Sequence, residues 1–213
     1  MSETTLPVAE QFSDGVQQHR AARLGMWIFL ATELLLFGGI FLQVAVQTMR
    51  HPASVSEAAR HLEWYMGAIN SVVLLTSSLA MSTAVEAARE GRDKLARAAL
   101  LVTPLLGFVF LGIKGTEYLG DYHDHLMPFL TSQRGAYPDP AGALWLNLYY
   151  AATGLHALHL TTGILLLLTV RVLAGKAGWL TRRWIVVEIV GLYWQFVDFI
   201  WMLLFPLLYL MNR

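Results

Sequence analysis

Cysteine is absent from the 213 residues. Its absence removes disulfides, iron–sulfur clusters, thiolate zinc, copper–thiolate centres and covalently attached c-type haem together. Charge is also scarce, at 14% of residues, and it is balanced, with 15 Lys plus Arg against 15 Asp plus Glu. With no bulk field of either sign, nucleic acid is not an expected partner. Little polar sequence is left over for a separate soluble domain.

What the chain has instead is apolar length. Hydrophobic residues make up 56% of it and mean hydropathy is +0.50. Five runs stand out, near Leu24 to Thr48, Trp64 to Val85, Leu95 to Tyr118, Ala143 to Val170 and Ile185 to Leu210. Each is about twenty residues or more, enough for a helix to cross roughly 30 Å of hydrocarbon. The expected fold is therefore all-α, an integral membrane bundle of five transmembrane helices. Residues 1–23 read as a polar N-terminal tail and residues 24–213 as one five-helix transmembrane domain. The first run is longer than a signal-peptide core of about 7 to 15 residues and carries Glu33, so it reads as a retained span.

Basic residues in the connections set the expected orientation. Arg20, Arg23, Arg89, Arg92, Lys94, Arg97, Arg171, Lys176, Arg182 and Arg183 fall on one side, and outnumber Arg50, Arg60, Arg134 and Arg213 on the other. The positive-inside rule then places the N-terminus in the cytoplasm and the C-terminus outside. The longest connection, Leu119 to Gly142, faces outward with Asp121, His123, Asp124, His125, Pro128, Pro138, Asp139 and Pro140, and could dock a partner.

Polar residues inside the runs carry the functional information, because an ionisable group facing lipid costs at least about 2 to 3 kcal/mol. They are Glu33, Lys114, Glu117, His156, His159, Glu188, Gln195 and Asp198. A rise of about 1.5 Å per residue puts Glu33, His156 and Asp198 near mid-membrane. His156 and His159 share a helical face at i, i+3, as do Gln195 and Asp198. Groups at one depth on three helices are expected to converge on the bundle interior.

Three chemistries fit that layer. His156 and His159 with Glu33 or Asp198 could supply about three metal ligands, although the H-E-x-x-H arrangement is missing. Glu33, taken out of water, could take part in a proton relay. Interhelical hydrogen bonds that fix packing are the structural alternative for His156, His159, Gln195 and Asp198. Lys114 and Glu117, at i, i+3, read as an ion pair snorkelling towards the outer interface. Trp194 and Trp201 bracket Asp198, where packing accounts for both indoles, although either could donate to a buried acceptor or a lipid headgroup. Gly38 with Gly39, the row Thr76, Ser77, Ser78, Ser82 and Thr83, and Gly154 with Gly163 would let helices approach closely or hydrogen-bond across interfaces.

Five segments, taken in order, resemble the subunit III family of haem-copper oxidases in its five-helix bacterial form. They are Arg23-Leu-Gly-Met-Trp-Ile-Phe-Leu-Ala-Thr-Glu33, Asn70-Ser-Val-Val-Leu-Leu-Thr-Ser-Ser78, Lys114-Gly-Thr-Glu-Tyr118, Thr153-Gly-Leu-His-Ala-Leu-His159, and Tyr193-Trp-Gln-Phe-Val-Asp-Phe-Ile-Trp201. The resemblance implies a non-catalytic subunit of a cytochrome c oxidase in the bacterial cytoplasmic membrane. Such a subunit packs on subunit I near subunit II, binds phospholipid, and supports proton uptake and active-site lifetime during aerobic electron transport. It implies haem and copper in the partner subunits, with no cofactor and no metal ligand in this chain. It makes Glu33 the counterpart of the family's carbodiimide-reactive glutamate, and His156, His159, Asp198 and Glu117 its buried network. Gln195 stands where the family has histidine, so a titrating imidazole is lost there. The ending Phe205-Pro-Leu-Leu-Tyr209 also resembles accessory proteins of nitric oxide reductases, and quinol oxidases have five-helix versions as well. An independent transporter or intramembrane hydrolase using His156 and His159 is the remaining reading, against which stand the lack of internal repeats and broken helices.

Overall fold

The apolar runs become helices because hydrocarbon offers no partner for backbone N–H and C=O groups, so each segment must satisfy its own. The computed structural model describes residues 11–60, 62–123, 139–176 and 178–210. Six helices follow in order: α1 (Gly15–Arg50), α2 (Pro52–Ala59), α3 (Trp64–Arg89), α4 (Asp93–His123), α5 (Pro140–Leu173) and α6 (Trp179–Phe205). A π turn over Pro206–Leu210 completes α6. All but α2 are long and apolar enough to cross a membrane, and the described residues contain no strand.

Capping chemistry extends several helices beyond their apolar runs. Asp14 accepts from the backbone N–H of Gln17 at 2.6 Å, which starts α1 at Gly15. The last part of the expected polar tail, residues 15–23 with Arg20 and Arg23, is thus helical. Asp139 accepts from the N–H groups of Ala141 and Gly142, and Pro140 occupies the first helical position of α5. α3 ends where Gly91 adopts φ 73° and the N–H of Arg92 reaches the carbonyl of Ala87 at 2.8 Å. The short helix α2 was not expected. Pro52 stops α1 and begins α2, which packs on α5.

α4 runs on to His123, so Asp121 and His123 belong to a helix end rather than to the expected loop. Asp124, His125, Pro128, Arg134 and Pro138 of that loop lie outside the described residues. α6 breaks at Arg183, with φ −133° and ψ 32°, at the start of its membrane span.

α3 and α4 form the most extensive pair, and α6 packs next on α3. Buried positions advance in alternating steps of three and four residues. They run through Gly67, Asn70, Leu74, Ser77, Met81 and Ala84 on α3, and Ala96, Leu100, Thr103, Gly107, Phe110, Lys114 and Glu117 on α4. That spacing is the seam of a left-handed helix pair. Ser77 Oγ donates to the Thr103 carbonyl at 3.2 Å and sets the register.

Trp194 of α6 sits at the centre of the bundle, fully buried. A Cβ at Gly107 or Gly163 would come within 2.8 or 2.9 Å of its indole, so both glycines are spaces the ring fills. Its Nε1 donates to Ser77 Oγ at 3.0 Å. α1 is the least buried span and leaves Leu24, Trp27, Leu35, Leu42 and Met49 exposed along its outer side.

Candidate functional site

The polar residues of the spans separate into three groups. The first joins α1 to α5, where His159 Nε2 lies 3.0 Å from Glu33 Oε2. The ring is held from behind, with Nδ1 2.8 Å from the Leu155 carbonyl and its edge against Phe37. With Nδ1 turned to a carbonyl, it is Nε2 that faces the carboxylate. Tyr193 of α6 donates to the His159 carbonyl at 3.0 Å. The His159 and Glu33 side chains keep 14% and 17% of their surface open, so the pair lies at the edge of the bundle.

The second group lies on α4 and α5 with the π turn. Lys114 Nζ is 3.0 Å from Glu117 Oε1, 2.8 Å from Tyr149 Oη and 2.6 Å from Tyr209 Oη. Both tyrosine hydroxyls also donate to Glu117 Oε1, at 2.6 and 2.7 Å. The rings of Tyr118, Tyr149, Trp201 and Tyr209 surround the ammonium at 4.9 to 5.7 Å. The snorkelling expected of this pair is corrected here, because Lys114 and Glu117 side chains are only 5% and 2% exposed. Tyr149 and Tyr209 give the charges partners that water would otherwise supply. Nearby, Tyr118 shares a hydrogen bond with Thr153, and Tyr150 donates to Asp121 at 3.0 Å.

The third group lies between α3 and α6. Ser78 Oγ donates to Asp198 Oδ2 at 2.6 Å, and Gln195 Nε2 donates to Ser82 Oγ at 3.0 Å. Gln195 and Asp198 thus share a face, yet each bonds to its own serine on α3. Trp201 Nε1 donates to Ser71 Oγ at 3.1 Å. Both Trp194 and Trp201 therefore pack and donate, so packing alone does not account for them.

Of the groups expected to converge on the bundle interior, His156 and Asp198 are buried there, whereas Glu33 and His159 lie at its edge and Gln195 is exposed. His159 pairs with Glu33, whereas His156, three residues earlier, is fully buried between Phe110 and Trp201. Among the described residues, no group of three His, Asp or Glu side chains is arranged to hold a metal ion. Glu188 lies at the far end, 3.1 Å from His19 and 3.5 Å from Arg23, and ties the start of α1 to α6.

Sequence reasoning missed Tyr149 and Tyr209 as partners of the ion pair. Tyr149 was findable, because Tyr149, Thr153 and His156 follow at i, i+4 and i+7 on one face of α5. Tyr209 carried no such signal, since only the π turn brings it back to α4.

Known proteins show the same pattern over nearly the full length. The profile of the family "Cytochrome c oxidase subunit III" matches residues 8–213. Cytochrome c oxidase subunit 3 of Thermostichus vulcanus is 31% identical over 202 residues, covering 94% of this chain and 92% of that protein. The subunit 3 of Synechocystis sp. is 31% identical over 188 residues, 88% of this chain and 74% of its own. Cytochrome bo(3) ubiquinol oxidase subunit 3 of Pseudomonas aeruginosa is 27% identical over 188 residues, covering 88% and 84%. Five apolar spans, polar side chains placed between them, and a family match over residues 8–213 together mean that the chain belongs to the cytochrome c oxidase subunit III family.

Proposed function

We propose that this chain is the non-catalytic third subunit of a bacterial haem-copper terminal oxidase. It lies in the cytoplasmic membrane with its N-terminus inside and its C-terminus outside, packed on subunit I and near subunit II. Haem and copper belong to those partners, and this subunit supports proton uptake and the working lifetime of their active site.

The observation that carries this reading is the Glu33–His159 pair, 3.0 Å apart and partly open at the edge of the bundle. A carboxylate and an imidazole in hydrogen-bond contact can hold and pass a proton. Left against hydrocarbon the pair would be costly, so its open side calls for a cover that is polar or hydrated. A neighbouring subunit meets that need.

A bound phospholipid fits the seam between α1 and α6. A recess of about 270 Å³ is lined by Gln18, His19 and Arg183 together with the apolar Ile185, Val186 and Ile189. Further along the seam, Trp27, Leu34, Leu192 and Phe199 line a groove of about 430 Å³ that reaches Gln195. An anionic headgroup suits the first and an acyl chain the second.

Relatives named as ubiquinol or quinol oxidase subunits favour a second reading, in which the same subunit serves a quinol oxidase. Gentle purification of the tagged chain, with an optical spectrum and identification of what accompanies it, tests both. Co-purification with subunits I and II and their haem bands is the expected result, and the haem type with the subunit II sequence assigns the donor. A haem-free chain isolated alone would overturn the proposal.

A further inference from the structure

Several polar atoms in the bundle interior are buried without any hydrogen-bond partner among the described residues. They include both ring nitrogens of His156, both amide atoms of Asn70, and Glu117 Oε2. His156 and Asn70 are each fully buried. A single such atom is ordinary, but buried polar groups are nearly always satisfied, and leaving one bare costs about 1 to 3 kcal/mol.

These atoms belong to one region. The Ser77–Thr103 contact sets the α3–α4 register, and two turns along that seam bring Asn70 level with Phe110. Phe110 has its ring 5.4 Å from His156 and 4.7 Å from Trp201. Trp201 in turn lies 5.3 Å from His156, its ring tilted by 39°, and donates to Ser71, the neighbour of Asn70. The same indole forms one wall around Lys114, the partner of Glu117. On α5, His156 lies about 10 Å along the axis from Tyr149 and about 4.5 Å from His159.

We propose that the layer around His156 is an internal water site, in which bound water bonds to His156 and Asn70 and continues to Glu117. Buried water typically makes about three hydrogen bonds to groups that would otherwise lack them, and five unpaired atoms are present here. The aromatic walls exclude lipid while the nitrogens and oxygens between them hold the water. Such a file runs from the Lys114–Glu117 cluster to His156, about one helical turn from His159 of the Glu33–His159 pair.

X-ray hydroxyl-radical labelling in ¹⁸O-water tests it on the full chain in lipid nanodiscs. Radicals formed from bound water oxidise the side chains beside it, whatever their exposure to bulk. Met49 and Tyr122, exposed in the last turns of α1 and α4, serve as positive controls. The expected result is ¹⁸O on Phe110 and Trp201, and on Tyr149 or Tyr209, with loss of the Phe110 and Trp201 label in His156→Phe. Asn70→Leu reads the same site if His156→Phe does not accumulate. Absence of label at Phe110 and Trp201 while the controls react, or label that persists in both variants, would overturn the water site. Label at Phe110 and Trp201 with none at Tyr149 or Tyr209 would overturn its continuation to Glu117.

Discussion

Lys114 and Glu117 form a buried ion pair, 3.0 Å from Nζ to Oε1, held by two tyrosine hydroxyls from separate elements. Removing one member leaves the other charge buried and unpaired, which costs about 3 to 5 kcal/mol. Lys114→Met is therefore expected to destabilise the folded chain by that order. The double variant Lys114→Met with Glu117→Leu should recover part of the loss. Thermal unfolding in detergent checks both, and a double variant no better than the single would contradict the pairing.

Trp194 fills the spaces above Gly107 and Gly163. Gly163→Val must displace the indole or the helix, and overpacking of this kind costs about 1 to 3 kcal/mol. Gly154 lies on the same helix with open space at its Cβ position, so Gly154→Ala should be close to neutral. Comparing their unfolding temperatures separates steric need from the general cost of replacing a helix glycine. Equal effects would contradict the role given to Trp194.

Asp139 caps α5 outside the membrane span. The Ser54 hydroxyl, and then the backbone N–H groups of Ala141 and Gly142, hold its carboxyl below the ordinary value. A depressed folded value stabilises the protein above the unfolded value of about 3.9, and the contribution is lost as pH falls through the lower folded value. Wild-type stability should therefore drop on acidification below about pH 4, and Asp139→Ala should show a shallower drop. Unfolding measured across that range checks the sign, and identical profiles would contradict it.

The five spans were legible because about twenty apolar residues in a row have few alternatives to a membrane helix. The helix ends were less so, since Asp14 and Asp139 act through caps that hydropathy does not register. α2 was invisible for a similar reason. Eight residues begun by a proline, rich in alanine and not apolar enough to span, carry a weak signal, and α2 gains its stability by packing on α5.

The site was half legible. Glu33, His156, His159, Gln195 and Asp198 announce themselves by their cost in a membrane, but cost says nothing about who pairs with whom. Glu33 meets His159 across 126 positions, and that depends on how α1 docks on α5. The i, i+3 spacing of Lys114 and Glu117 was visible, whereas their burial depends on Tyr149 and Tyr209. The α3 row was expected to allow close approach or hydrogen bonds across interfaces, and Ser77, Ser78 and Ser82 do bond to α6, joined by Ser71, which the row did not include.

The central claim is that Glu33, paired with His159, supports the proton supply and lifetime of a partner oxidase. Glu33→Gln keeps size and hydrogen bonding but removes the titrating group. The most direct measurement is proton uptake and turnover lifetime of the purified oxidase carrying this variant, beside wild type. The account predicts an assembled complex with normal haem content that takes up protons more slowly or inactivates sooner. Assembly with unchanged uptake and unchanged lifetime would contradict it.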